Sequence, residues 1–199
     1  MKCRIVGIIT LLIVAFNLTS VLAFDDIENN YNPQNAAIRY LADEGILTGY
    51  DDNCFHPEKN ITRAEMATIL YRAKHGQGMP STGETIFSDT KSHWAEPYIN
   101  QSVKDGIING FDNNTFAPDA NLTNEQALKM LVCLKGLSEE AESRGGYPYG
   151  YILTAVRVGI MDDIVIVSSN DDESYFQKLD ATRGNIALML YNSIKEVKR

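Results

Sequence analysis

The 199-residue chain holds 18 basic and 26 acidic residues, a formal net charge of −8, with 44% hydrophobic and 22% charged residues. That balance describes an ordinary globular chain of one domain or a few small ones and excludes a disordered or coiled-coil protein. The acidity also makes nucleic acid a poor partner, because binding phosphate needs basic surface.

Residues 1–23 have the three parts of a secretory leader: Lys2 and Arg4, an apolar core from Ile5 to Phe16, and Val21, Leu22 and Ala23 at a cleavage position. The apolar core is shorter than the roughly 20 residues that span a bilayer, which disfavours an uncleaved anchor. Cleavage after Ala23 is therefore expected, with Phe24 as mature residue one, and it takes the net charge from −8 to −10 by removing Lys2 and Arg4. Cys3 precedes the apolar core, which argues against a lipid-modified cysteine. Cys54 and Cys133 remain; Cys133, inside L-K-M-L-V-C-L, reads as a small core residue rather than half of a disulfide framework. His56, His75 and His93 are scattered without the ligand spacing of a zinc site, so no metal and no other cofactor is expected.

The rest of the chain repeats itself. G-I-L-T-G-Y-D-D-N-C-F-H-P-E-K-N-I-T-R-A-E from Gly45 aligns without a gap on G-I-I-N-G-F-D-N-N-T-F-A-P-D-A-N-L-T-N-E-Q from Gly106. A weaker third copy runs from Gly159-Ile160 to A-T-R-G-N-I-A-L-M-L-Y-N (Ala181 to Asn192), with extra residues around I-V-I-V-S-S-N-D-D-E that predict a longer loop or short hairpin.

Each copy predicts a helix, a loop and a second helix. The first helix carries apolar positions at helical spacing (Ala37, Ile38, Leu41; Ile99, Val103; Ile152, Ala155, Val156) and stops at Gly45, Gly106 or Gly159. The loop is turn chemistry, with Phe55 or Phe116 as a plug and Pro57 or Pro118 stiffening the path onward. The second helix starts at Thr62, Thr123 or Thr182 and buries Met66, Ile69 and Leu70, then Leu128, Leu131 and Val132, then Ile186, Met189 and Leu190. Thr62 with Glu65, and Thr123 with Gln126, form capping boxes; Thr182 caps without the acid, since Asn185 stands at the third position. One such helix pair cannot bury its apolar stripe, whereas three sharing a core can. The Gly- and Ser-rich stretches Lys74 to Thr85 and Lys135 to Gly146 read as linkers or surface loops.

F-S-D-T-K-S-H-W-A-E-P-Y-I (Phe87 to Ile99), followed by G-I-I-N-G-F-D-N-N-T-F-A-P, closely resembles the S-layer homology repeat, and I-T-R-A-E (Ile61 to Glu65) matches that family's signature. The resemblance divides the chain into a leader (1–23), two clear repeats (24–74 and 85–137) and a divergent third (145–199). It implies a mainly α fold of three helix-loop-helix repeats packed as a pseudo-threefold unit. It also implies noncovalent binding of secondary cell-wall polysaccharide, often pyruvylated, which anchors exported proteins to the bacterial cell wall or S-layer without enzymatic chemistry. By the same resemblance Arg63 and Arg183 match the principal glycan contact, Asp26 and Asp89 the acid opening a repeat, and Trp94 the aromatic after it. Gly49 with Tyr50, and Gly110 with Phe111, match the Gly-aromatic corner beside the groove. Copy two departs at Asn124, which replaces the Arg, and copy three has G-G-Y-P-Y-G-Y where the acid and the Trp would stand.

Arg63 is out of place on helix grounds alone, because a cation in the first turn opposes the macrodipole. Copy two keeps the cap and loses the Arg, and copy three keeps the Arg and loses the Glu, so capping does not require it. One reading is an anion site built from the guanidinium and free N–H groups at the helix start, suited to a carboxylate. The other is a solvated Arg or a salt bridge to Asp26, Asp89 or a neighbouring copy. Trp94, taken alone, reads as core. D-D-N at Asp51 and D-N-N at Asp112 open like a calcium loop, but Phe55, His56 and Thr62 stand where the rest of that loop needs other residues. Asn60 and Asn121 fit a glycosylation pattern and equally a helix entry. A glycan-binding module competes with a module whose repeats contact other S-layer or envelope proteins. A hydrolase has no nucleophile motif or carboxylate pair behind it.

Overall fold

A computed structural model describes residues 24–81, 83, 85–111, 114–164 and 178–195. The leader with its cleavage position, Asp112 and most of the insertion in the third copy lie outside these residues. The described residues are mainly helical: α1 (Pro33–Asp43), α2 (Arg63–His75), a 3-10 turn (Ser88–Thr90), α3 (Glu96–Lys104), α4 (Asn124–Leu134), α5 (Ser138–Ser143), α6 (Tyr149–Arg157) and α7 (Arg183–Ile194). No described helix is long and apolar enough to cross a membrane.

The helix ends follow their local chemistry. Thr62 Oγ1 accepts from Glu65 N at 3.2 Å while Glu65 Oε2 accepts from Thr62 N at 2.8 Å. The same reciprocal pair joins Thr123 and Gln126 at α4. At α7, Thr182 Oγ1 accepts from Asn185 N, but Asn185 Oδ1 accepts from Gln34 Nε2 on α1 instead of closing the box. Gly45, Gly106 and Gly159 follow the first helices at φ 69°, 72° and 75°, a left-handed turn that costs glycine little. Thr62→Ala is expected to lower stability by about 0.5–2 kcal/mol, with a smaller loss for Thr182→Ala at its half-formed box; urea denaturation of the two variants measures both.

The helices do not pair within a copy. α3 packs on α2, α6 on α4, and α1 on α7, so each copy's first helix lies against the second helix of the preceding copy, cyclically. At the centre the segments entering the second helices close a ring: Ile61 N donates to Ala181 O (3.0 Å), Ala181 N to Leu122 O (2.7 Å), and Leu122 N to Ile61 O (3.0 Å). All three residues are fully buried. Beside the ring, Asp180 Oδ2 accepts from the side-chain amides of Asn60 and Asn121, which accounts for both asparagines without a sugar. The ring makes the unit pseudo-threefold and lets three stripes share one core, in which every second-helix position expected inside is buried.

α6 departs from expectation. Ala155 is buried as its spacing predicts, but Val156 is 56% exposed, and Tyr151 and Thr154 are buried in its stead. Gly150 sits against α5, where a Cβ would meet Ala141 O at 2.0 Å, and this close approach fixes the helix with the Tyr151–Thr154–Ala155 row inward.

Candidate functional site

In the first two copies the loop between helices is nailed down by an aromatic ring and a carboxylate. Phe55 and Phe116 are fully buried. Asp26 accepts from Phe55 N (2.8 Å) and His56 N (2.7 Å), and Asp89 accepts from Phe116 N (2.9 Å) and Ala117 N (2.7 Å). His56 and Ala117 both stand at left-handed φ, 55° and 56°, where the carboxylate holds them. Asp26 and Asp89 therefore spend their oxygens on the loop. Gly49 turns the corner beneath this, since a Cβ there would meet the Phe24 ring at 2.5 Å and Cys54 O at 2.7 Å.

Arg63 and Arg183 reach across to these loops from the neighbouring copy. Arg63 donates from Nε to Phe116 O (2.8 Å) and from Nη2 to Asn109 O (3.1 Å), with its guanidinium 4.4 Å from the centres of both the Phe111 and Phe116 rings. Arg183 repeats the arrangement on Phe55 O (2.9 Å) and Thr48 O (2.8 Å), over Tyr50 and Phe55. The two side chains are only 4% and 6% exposed, so neither is a solvated Arg, and neither pairs with Asp26 or Asp89. Burial pushes the Arg63 guanidinium down to about 10, which leaves it charged at neutral pH, and pushes Arg183 in the same direction.

The helix starts are not free donors, contrary to the sequence reading. Arg63 N donates to Ala120 O and Ala64 N to Pro118 O, while Arg183 N and Gly184 N donate to Lys59 O and Pro57 O. Thr62 and Thr182 take the third N–H. The chain entering the next copy's helix thus satisfies these groups, and only the side chain remains for a ligand.

Two cavities open above the arginines. One, of about 220 Å³, is lined by Arg63 from copy one, the Asn109–Gly110–Phe111 corner with Gln126 and Lys129 from copy two, and Tyr147 from copy three. The other, of about 170 Å³, is lined by Arg183, by the Thr48–Gly49–Tyr50 corner with Glu65 and Arg72 from copy one, and by Trp94 from copy two. Trp94 is 58% exposed, a wall of the groove and not core. Both grooves follow one rule: the arginine comes from the preceding copy, the corner and helix from the copy itself, and the aromatic from the next.

The S-layer homology domain profile matches residues 23–67 and 86–128. These two stretches are S-layer homology domains. Similar curated proteins are the cellulosome-anchoring protein of Acetivibrio thermocellus (35% identical over 98 residues, 48% of this chain and 22% of that one), the surface-layer 125 kDa protein of Lysinibacillus sphaericus (31% over 170, 81% and 14%) and the middle cell wall protein of Brevibacillus brevis (28% over 162, 79% and 14%). The chain spans under a quarter of each relative's length.

Set on the S-layer homology pattern, the structure adds residues that the sequence reading passed over. Tyr147, in the stretch that lacks the expected Trp, occupies in one groove the place Trp94 holds in the other. Its hydroxyl donates to Glu125 Oε1 at 2.9 Å, and Lys129 Nζ lies 5.2 Å from its ring centre. Burial and Glu125 push the Tyr147 hydroxyl up to about 12, so it stays protonated. Lys129 and Arg72 share a helix face with Gln126 and Glu65, three and seven residues further on, and look like surface charge in sequence. Asn124, too short to cross, donates from N and Nδ2 to Leu179 O (3.0 and 3.2 Å). Since each arginine serves the next domain's corner, its loss falls on copy three and leaves the corner of the second S-layer homology domain fully served.

Proposed function

We propose that the chain anchors at the bacterial cell-wall surface by holding an anionic secondary cell-wall polysaccharide, its acid group a pyruvyl ketal, in the grooves between S-layer homology domains. We further propose that residues 145–199 act as a third, divergent domain, with domain bounds at 24–74 and 85–137 for the first two. The observation that carries the reading is the Arg63 groove. Arg63 and Lys129 supply two cations, no acid among the described residues lines the cavity, the nearby Glu125 being taken by the Tyr147 hydroxyl, and the faces of Phe111 and Tyr147 flank it as platforms for a sugar ring. Nε and Nη2 of Arg63 hold the protein together, and Nη1, which makes neither bond, serves the ligand. In the Arg183 groove Glu65 offsets part of the charge, although its oxygens already accept from Tyr50 Oη and Thr62 N. The Arg63 groove is thus the stronger anion site. Net acidity does not oppose this at close range, because charges beyond about 8 Å are screened at physiological salt.

The names of the relatives, cellulosome-anchoring, surface-layer and cell wall proteins, agree with a surface-anchoring role. Lys129→Glu is expected to weaken cosedimentation with purified wall polymer roughly tenfold or more at unchanged helical signal, and polymer stripped of pyruvyl groups to bind neither protein. Equal sedimentation of the variant, or of stripped polymer, would sink the reading. A second reading, contact with other S-layer or envelope proteins, rests on the row Tyr149, Leu153 and Val156 along α6, 72%, 55% and 56% exposed.

A further inference from the structure

The first loop carries chemistry that neither groove uses. Asp52, Cys54 and His56 bring one carboxylate oxygen, one sulfur and one ring nitrogen within 4.8 Å of one another. The histidines are too far apart in the chain to show a ligand spacing, but left-handed turns at Asn53 and His56 (φ 62° and 55°) fold a D-x-C-x-H stretch onto itself. Asp52 Oδ2 is 2.7 Å from His56 Nε2 and Oδ1 accepts from Cys54 N at 3.0 Å. The cluster borders an open cavity lined also by Tyr50, Glu58 and Lys59.

The second loop is the internal control. It reads Asn113, Thr115 and Ala117 at the three places, yet Ala117 keeps the same φ and the same carboxylate clamp from Asp89. The fold therefore needs no acid, thiol or imidazole there, since an alanine holds the same left-handed φ under the same clamp. An exposed Asp52–His56 pair contributes little stability on its own. Nor is Cys54 poised as a nucleophile, since burial and the carboxylates of Asp52, Asp26 and Asp25 push its thiol up.

The geometry points to a binding site for a zinc-class dication at Asp52, Cys54 and His56, three mixed ligands with the fourth position left to water. Bond lengths of about 2.0–2.3 Å set tetrahedral ligand atoms roughly 3.3–3.7 Å apart, so the Asp52–His56 pair at 2.7 Å must part and any spacing near the 4.8 Å limit must draw in, each by about 1 Å or less. His56 also packs on Tyr50, 5.3 Å between ring centres, and Tyr50 carries Arg183 on the neighbouring groove. An ion here would stiffen the corner that Arg183 grips.

The test is titration of the reduced, purified protein with Zn²⁺ alone against a chromophoric chelator, repeated with Co²⁺. One tightly bound equivalent and a near-ultraviolet thiolate-to-cobalt band are expected. Asp52→Asn, Cys54→Thr and His56→Ala install side chains that the second loop already holds, so helical circular dichroism should stay unchanged while zinc affinity drops roughly tenfold or more in each. The cobalt band should vanish in Cys54→Thr. No stoichiometric zinc, or zinc and cobalt signals that survive these folded variants, would overturn the assignment. Glycan sedimentation is a separate readout and does not enter it.

Discussion

Phe116→Ala is expected to cost about 3–5 kcal/mol of stability, the usual loss for a buried aromatic truncated in a core, and to lower Tm by roughly 6–20 °C for a chain of this size. The ring is fully buried, packs on Phe87 at 5.6 Å between centres, and lies under the Arg63 guanidinium. Its own backbone is held from both sides, the N–H by Asp89 and the carbonyl by Arg63 Nε. Removing the ring therefore opens a cavity and takes away the floor on which the neighbouring copy's arginine rests. Phe55→Ala should behave alike through Phe24, Asp26 and Arg183. Thermal and urea unfolding measure both, and a loss below about 1 kcal/mol for either would mean that the loop carries itself without the plug.

These phenylalanines were legible in the sequence because the repeat puts an aromatic at one fixed place in a polar loop. So were the caps, the left-handed glycines and the buried rows of the second helices, all of which follow from chemistry within a few residues. The exchange of helix partners was not. Nothing local in α1 says that it will lie on α7 and not on α2, because that choice is made by the hydrogen-bonded ring of Ile61, Leu122 and Ala181, three residues far apart in the chain. The same exchange hid the grooves. Arg63 sits in one copy, Lys129 in the next and Tyr147 in the third, and no spacing rule joins them. Asp52, Cys54 and His56 lay in plain view, but their contact depends on two left-handed residues that carry side chains and do not announce a turn as glycine does.

Arg63→Ala is expected to do two things at once, and the experiment must separate them. Loss of two hydrogen bonds from a buried cation, with the Phe116 carbonyl left unpaired, should lower stability by about 2–4 kcal/mol. Wall-polymer binding should fall as well, and unfolding alone could account for that. The decisive comparison is made at a temperature where circular dichroism shows the variant folded, beside Lys129→Ala. Lys129 is partly exposed and grips no backbone carbonyl, so its truncation should leave Tm within about 1–2 °C while weakening sedimentation. If folded Arg63→Ala also binds roughly tenfold or more weakly, the guanidinium is both staple and ligand contact. If the folded variant sediments like the native chain, Arg63 only joins one copy to the next. Arg63→Lys sharpens the distinction. A lysine keeps the charge but cannot donate along both directions or stack between Phe111 and Phe116 as a planar fork does. Stability should therefore drop nearly as far as in Arg63→Ala, with part of the binding retained, and the odd cation at the start of α2 would be assigned by how those two losses divide.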